Sequence, residues 1–327
     1  MKRYSWADSL RGMLIILVVL GHAIQYTLHR GYFDNHLWNY IYSFHMAAFM
    51  AVSGFLNYKG KGDNWSLTIK RRFWQLLVPY FLWSVIKVIL FHQAEPHSYV
   101  NIVLNPDGYF WFLWVLFFIS VFFQLGDYLA TRLKIKQEMV TFSLCVLFAA
   151  IMVLGEIRIL GFQFFAYYFL FYCIGYYLHK FPQIVSNHAG ILLLLTVVWA
   201  LLAWFWRMDS MPLLLLGIPL PHALLHYAYR FVTATIAIYV ILCVCPLILE
   251  TNDKWNRPFI TAGKISLGIY VIHLLFIKEI IAAVKSCVGN TDIVIIISFA
   301  IALGFAWGGV LLLNQWSATK KILLGKI

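Results

Sequence analysis

Of the 327 residues, 62% are hydrophobic and only 12% charged, and the formal net charge is +12. Soluble globular chains are nearer half apolar and a quarter charged, so this composition excludes a water-soluble enzyme or binding domain and describes a polytopic membrane protein. The positive charge does not point to nucleic acid, because the basic residues sit in short clusters between apolar runs, as they do where charge fixes membrane topology.

In chain order, apolar runs near the roughly 20 residues needed to cross a bilayer core fall at 9–29, 37–57, 70–92, 109–129, 138–155, 163–179, 190–207, 229–249, 263–284 and 293–314. The expected fold is therefore all-α, with about ten transmembrane helices. The run at 163–179 is short and rich in Tyr and Phe. The stretch 210–228 is apolar but broken by Pro212, Pro219 and Pro221, which predicts a re-entrant or interfacial loop. Lys2 and Arg3 precede the first run as they would in a leader peptide. The run's length and the lack of a small-residue cleavage site predict a retained helix.

With the N-terminus cytoplasmic, the inner segments hold Lys2, Arg3, Lys59, Lys61, Lys70, Arg71, Arg72, Arg132, Lys134, Lys136, Lys180, Lys254, Arg257, Lys264, Lys320, Lys321 and Lys326. The outer segments hold Arg30, Arg158, Arg207, Arg230 and Lys285. This imbalance predicts that both termini are cytoplasmic. Trp38, Tyr58, Tyr80 and Tyr109 lie near span ends, as aromatic belts do. Cys145, Cys173, Cys243, Cys245 and Cys287 form no CxxC pair and read as small hydrophobes, not a disulfide or metal framework. No loop is long enough for a soluble domain, so one membrane domain over 1–327 is expected.

Ionisable groups inside spans are costly and usually face a partner or a wet cavity. The first helix carries Asp8, Arg11 and His22. At about 100° per residue, Arg11 and His22 differ by about 20° and lie about 16 Å apart along the axis, with Asp8 about 60° from Arg11 on the same side. All three fall on one stripe, as on the wall of a passage open to the cytoplasm. Asp8 also suits a helix cap, and Arg11 suits snorkelling to lipid phosphate. His22 is too deep to snorkel, and its bland alternative is an interhelical hydrogen bond. His45 lies as far after the 29–37 turn as His22 lies before it, so a tight hairpin brings the two to similar depth; packing explains His45 equally well. Lys70, Arg71, Arg72 and Gln75 open the third span, where topology alone accounts for much of the charge. Clustered guanidinium groups there also suit polyphosphate. Tyr109 and Trp111 stand at the outer start of the fourth span. Ser266, Tyr270 and His273 share one face of the ninth, fit for packing or for a cavity. Lys87, Glu156 and Lys278 are further candidates to pair or to line the outer side.

These motifs in order resemble the acyltransferase-3 family of membrane proteins. They are Asp8-Ser-Leu-Arg11-Gly12 leading to Gly21-His22; Phe44-His45-Met46 leading to Ser53-Gly54-Phe55; Arg71-Arg72 leading to Pro79-Tyr80; Trp111-Phe112-Leu113; and Gly263, Ser266, Tyr270 and His273. One departure is Gln75, where the family often has the second arginine of R-x-x-R. The resemblance implies a multi-pass O-acyltransferase of a bacterial cytoplasmic membrane. It would take acetyl-CoA or another acyl-CoA as co-substrate, with no bound cofactor or metal, and acylate hydroxyls of a sugar, polysaccharide or lipid-linked glycan. On that reading His22, Arg11 and Asp8 are catalytic, and Arg71, Arg72, Gln75 and Lys70 hold the acyl-CoA. His45, Tyr109, Trp111, Ser266, Tyr270 and His273 line the acceptor cavity. A homo-oligomer is compatible with this reading and nucleic acid has no place in it. The alternative is a proton-coupled transporter or flippase of a glycan or small anion, since intramembrane His and Arg also mark carriers; no repeated halves or paired broken helices favour it.

Overall fold

The computed structural model describes residues 4–58, 65–91, 95–155, 157, 159–185, 188–212, 215, 217–250 and 254–326. Lys2, Arg3, Lys59, Lys61, Glu156 and Arg158 lie outside the described residues. The described residues are helical, with no strand among them. The helices are α1 (Ser5–Leu28), α2 (His36–Tyr42), α3 (His45–Asn57), α4 (Trp65–Arg72), α5 (Val78–Leu90), α6 (Pro96–Leu104), α7 (Trp111–Leu133), α8 (Gln137–Leu154), α9 (Phe162–Lys180), α10 (Ala189–Trp204), α11 (His222–Leu249), α12 (Arg257–Lys264), α13 (Ser266–Lys285), α14 (Thr291–Leu313) and α15 (Ser317–Ile322). Among the described residues, seven helical stretches are long and apolar enough to cross a membrane, and Gln137–Met152 and Ala189–Trp204 are shorter apolar helices.

Two sequence expectations need correction. The run 37–57 is not one helix: it breaks at Ser43 and Phe44 between α2 and α3. Ser43 Oγ donates to the Tyr40 carbonyl (2.8 Å), and the His45 ring nitrogen Nδ1 lies 2.7 Å from the Ile41 carbonyl that a continuous helix would offer to the His45 backbone N–H. Side chains thus compete for the carbonyls of the last turn. The third span also starts earlier than residue 70. It runs from Trp65 to Leu90 and contains a π-helical turn, Phe73–Leu77, in which the Val78 N–H bonds the Phe73 carbonyl. Pro79 explains the turn, since its missing N–H cannot serve the carbonyl of Gln75 four residues earlier. The broken segment 210–228 is irregular where described up to Pro221, and α11 takes over at His222, seven residues ahead of the predicted span.

The chain divides into two compact units, Met1–Val52 with Phe181–Leu311, and Ser53–Lys180 with Leu312–Ile327. In the first unit α1 is the hub, packed on α2, α11, α12 and α13. Its crossing with α12 depends on two glycines. A Cβ on Gly12 would lie 1.9 Å from the Phe259 carbonyl oxygen, and one on Gly263 would lie 1.7 Å from that of Asp8. Only glycine lets two helix backbones approach so closely. α2 joins α10 through the Tyr40 hydroxyl, which donates to the Ala200 carbonyl (2.9 Å).

In the second unit the same device recurs between α3 and α9, where a Cβ on Gly54 would lie 1.9 Å from the Tyr172 carbonyl oxygen. Edge-to-face contacts of Phe148 with Phe165 and Phe169 tie α8 to α9. α8 and α9 are also joined by the Tyr177 hydroxyl on Thr141 Oγ1 (2.8 Å) and by Lys180 on Glu138 (2.6 Å). The C-terminal segment folds back onto the third span. Trp83 Nε1 donates to the Leu323 carbonyl (2.8 Å), and Gly325, at φ +60°, lies against the backbone of Gln75.

Candidate functional site

The first unit builds its polar interior on α1. At the front of that helix Asp8 and Arg11 form an ion pair one turn apart. Asp8 is 3% exposed, and a buried carboxylate of this kind is stabilised by a paired guanidinium. Gly12 and Gly263 bring α12 against this same turn, which gives the glycine of the D-x-x-R-G motif a packing reason.

Three turns further on stands His22. Its Nδ1 is 3.0 Å from Nε2 of His273 on α13, with ring centroids 5.2 Å apart and planes 22° from parallel. The His273 Nδ1 is in turn 2.7 Å from the carbonyl of Ile269, one turn back on α13. His273 is 0% exposed, whereas His22 keeps accessible surface. Tyr26 lies beside His22 (5.8 Å between centroids), and the Lys278 ammonium sits 5.1 Å from the Tyr26 ring. Tyr42 packs against α1. Its hydroxyl donates to Gln25 Oε1 (2.8 Å), and a Cβ at Gly21 would meet its ring at 2.8 Å. The Gly-His pair of the motif is thus a gap for an aromatic ring followed by the imidazole that meets His273. Tyr42 also meets His45 edge-on at 4.6 Å. His45 is 3% exposed and turned to its own backbone at Ile41, a structural bond.

The other α13 candidates divide. Tyr270 is buried, its ring 6.2 Å from that of His273. Ser266 is the first residue of the helix and half-buried. Among the described residues no three His, Cys, Asp or Glu side chains converge as a metal site.

In the second unit Lys70, Arg71 and Arg72 occupy the last turn of α4, with Lys70 and Arg71 exposed and Arg72 half-buried. Gln75 lies in the π-turn and is half-buried. Tyr109 borders a polar hollow of about 590 Å³ lined by Glu95, His97, Ser98, Asn101, Asn105, Asp107 and Gly108. Its hydroxyl donates to the Ser98 carbonyl (2.7 Å), and Lys87 fixes the rim by donating to the Gly108 carbonyl (2.7 Å). Burial pushes the Tyr109 phenol above its ordinary pKa. Trp111 does not share the hollow's lining; it stacks on Phe164 and Tyr168, at 4.5 and 5.4 Å.

Sequence reasoning placed His22 and His273 on separate stripes without joining them, and it passed over Gln25, Tyr26 and Tyr42. The available signal was local: Gln25 and Tyr26 fall three and four residues after His22, on its own side of the helix.

The acyltransferase-3 family profile, described as an acyltransferase domain, matches residues 4–314. Two curated relatives are nodulation proteins NolL. The protein from Mesorhizobium japonicum (strain LMG 29417 / CECT 9101 / MAFF 303099) is 28% identical over 196 residues, 57% of this chain and 49% of the relative. That from Sinorhizobium fredii (strain NBRC 101917 / NGR234) is 28% identical over 199 residues, 57% of this chain and 50% of the relative. The chain thus aligns with about half the length of these relatives. No solved structure matches the chain. With the profile spanning nearly every residue, including the D-x-x-R-G, Gly-His and Gly-x-x-Ser motifs whose packing reasons are now visible, the chain belongs to the acyltransferase-3 family.

Proposed function

We propose that this protein is an integral-membrane O-acyltransferase. It moves an acetyl or similar short acyl group from cytoplasmic acyl-CoA to a hydroxyl of a sugar, polysaccharide or lipid-linked glycan. The observation that carries the reading is the imidazole pair on α1 and α13, with His273 fully buried and His22 half-buried. In the reaction the acceptor oxygen attacks the thioester carbonyl and gives its proton to His22. The carbon–sulfur bond breaks, the ester forms, and the proton on His22 neutralises the departing CoA thiolate. A neutral imidazole is suited to take a proton and return it near neutral pH.

Arg71, Arg72 and Lys70 supply the charge that CoA phosphates require, and Gln75 takes the place of a second family arginine as a neutral donor. The Asp8–Arg11 pair shapes the start of α1. The hollow at Tyr109 joins carboxylates, amides and an aromatic ring, a chemistry suited to a polyhydroxylated acceptor. The proposed setting is a bacterial cytoplasmic membrane, crossed about ten times with both termini inside. Here 37–57 and the two shorter apolar helices complete the seven longer ones.

The test is thioester consumption. Purified protein given acetyl-CoA and a candidate glycan should release free CoA and yield a glycan heavier by one acetyl group. His22→Ala should lower the rate by about 10²–10⁴-fold, the usual worth of a general base. Substrate movement across vesicles without acyl-CoA consumption would establish a carrier instead.

A further inference from the structure

We infer that His273 is the positioning residue that holds His22 in its Nδ1–H tautomer, leaving Nε2 of His22 as the basic nitrogen. The inference rests on the acyltransfer reading for its catalytic meaning and on geometry for the tautomer.

The bonding order follows from one end of the chain. The Ile269 carbonyl only accepts, so His273 Nδ1, 2.7 Å away, must carry a proton and donate. A neutral imidazole has one ring proton, which leaves His273 Nε2 with a lone pair. A second proton would place an uncompensated cation on a side chain that is 0% exposed. Two lone pairs cannot face each other at 3.0 Å, so His22 Nδ1 carries a proton and donates to His273. His22 is neutral before reaction, and its Nε2 is then unprotonated. When His22 takes a proton from the acceptor, its Nδ1–H bond to His273 becomes charge-assisted and stronger, so His273 favours the imidazolium as it forms. His273 is fully enclosed, so of the two rings it is the one suited to position and His22 the one suited to react. The carbonyl that sets the order is four residues away on the same helix, so α13 alone fixes the direction of the chain.

The experiment is nitrogen-15 NMR of histidine-labelled full-length protein in lipid nanodiscs, with resonances assigned by His22→Ala, alongside steady-state kinetics. In the wild type, His22 should show a protonated Nδ1 and an unprotonated Nε2. His273→Leu removes the acceptor and should redistribute the His22 tautomers. It should also lower kcat about 10²-fold or more while the KM for acetyl-CoA stays within about twofold. His273→Gln offers an amide oxygen near the position of the lost Nε2. It should restore the Nδ1–H form of His22 and much of kcat. A His22 protonated at Nε2 in active wild-type protein overturns the inference whether or not the variants fold. So does His273→Leu turning over like His273→Gln. Wild-type protein with His22 in the Nδ1–H form but no thioester consumption supports the tautomer assignment and overturns the acyltransferase reading alone.

Discussion

The crossing of α1 and α12 is the most exacting packing feature of the first unit, and Gly12→Ala tests it. An added Cβ would stand 1.9 Å from the Phe259 carbonyl oxygen, 2.7 Å from its carbon and 3.0 Å from the Gly263 nitrogen. Carbon–oxygen contacts settle at about 3.3–3.6 Å, so the two backbones must part by about 1.5 Å. Backbone cannot yield as a flexible side-chain tip does. The separation opens the α1–α12 crossing, the closest backbone approach that α1 makes to α12. Overpacking of this kind costs about 1–3 kcal/mol. Gly263→Ala, whose Cβ meets the Asp8 carbonyl oxygen at 1.7 Å, should cost a similar amount. One separation relieves both clashes, so the double variant should cost clearly less than the two single costs together. Thermal unfolding of the four proteins in one detergent, with ligand-free samples, measures this cycle. Gly308→Ala is the control, since nothing beyond its own stretch of helix backbone lies within 4 Å of its Cβ; it should be neutral or slightly stabilising. A Gly12→Ala protein within about 0.5 kcal/mol of wild type, or strict additivity with Gly263→Ala, would refute the close-crossing argument.

Other ion pairs and charged groups give further expectations. Arg11→Leu should remove the ion pair of the buried Asp8 carboxylate and cost about 1–3 kcal/mol, less than a fully buried pair because Arg11 is one-third exposed; Asp8→Leu/Arg11→Leu should depart from the sum of the single costs in chemical unfolding, and strict additivity would contradict the pairing. Arg72→Gln should raise the KM for acetyl-CoA about tenfold or more with a smaller change in kcat, as loss of a charge-assisted phosphate contact does; an unchanged KM would remove this residue from the donor site. Arg207 bonds Asp34 (2.7 Å) and Asp209 (3.2 Å). Partial burial works to raise the Asp209 carboxyl pKa, but the Arg207 hydrogen bonds outweigh it and hold the group below its ordinary value. That stabilisation is present above the unfolded pKa of about 3.9 and is lost as pH falls through the lower folded one. The stability difference between wild type and Arg207→Gln, about 1 kcal/mol or less for an exposed cluster, should therefore shrink between pH 6 and pH 3. A difference that stays constant over that range would contradict the assignment.

What the sequence determined by itself is local and periodic. Sixty-two per cent apolar residues in span-length runs leave helices as the economical way to satisfy a backbone in lipid, so the all-α fold was legible. Helical geometry likewise put Asp8, Arg11 and His22 on α1, and the i,i+3 ion pair follows from that spacing. Tertiary structure decided the rest. His22 and His273 are 251 residues apart, and no periodicity within either helix states that they meet or which nitrogens face. A motif glycine permits a close approach, but which backbone it meets is set by the fold, here Phe259, Asp8 and Tyr172. The break at Ser43 and the π-turn before Pro79 arise where side chains or a missing N–H redirect individual backbone bonds, effects that averaged hydrophobicity does not register. Helix existence is written in short-range composition, whereas the pairing of helices is a competition among distant surfaces that only the packed chain resolves.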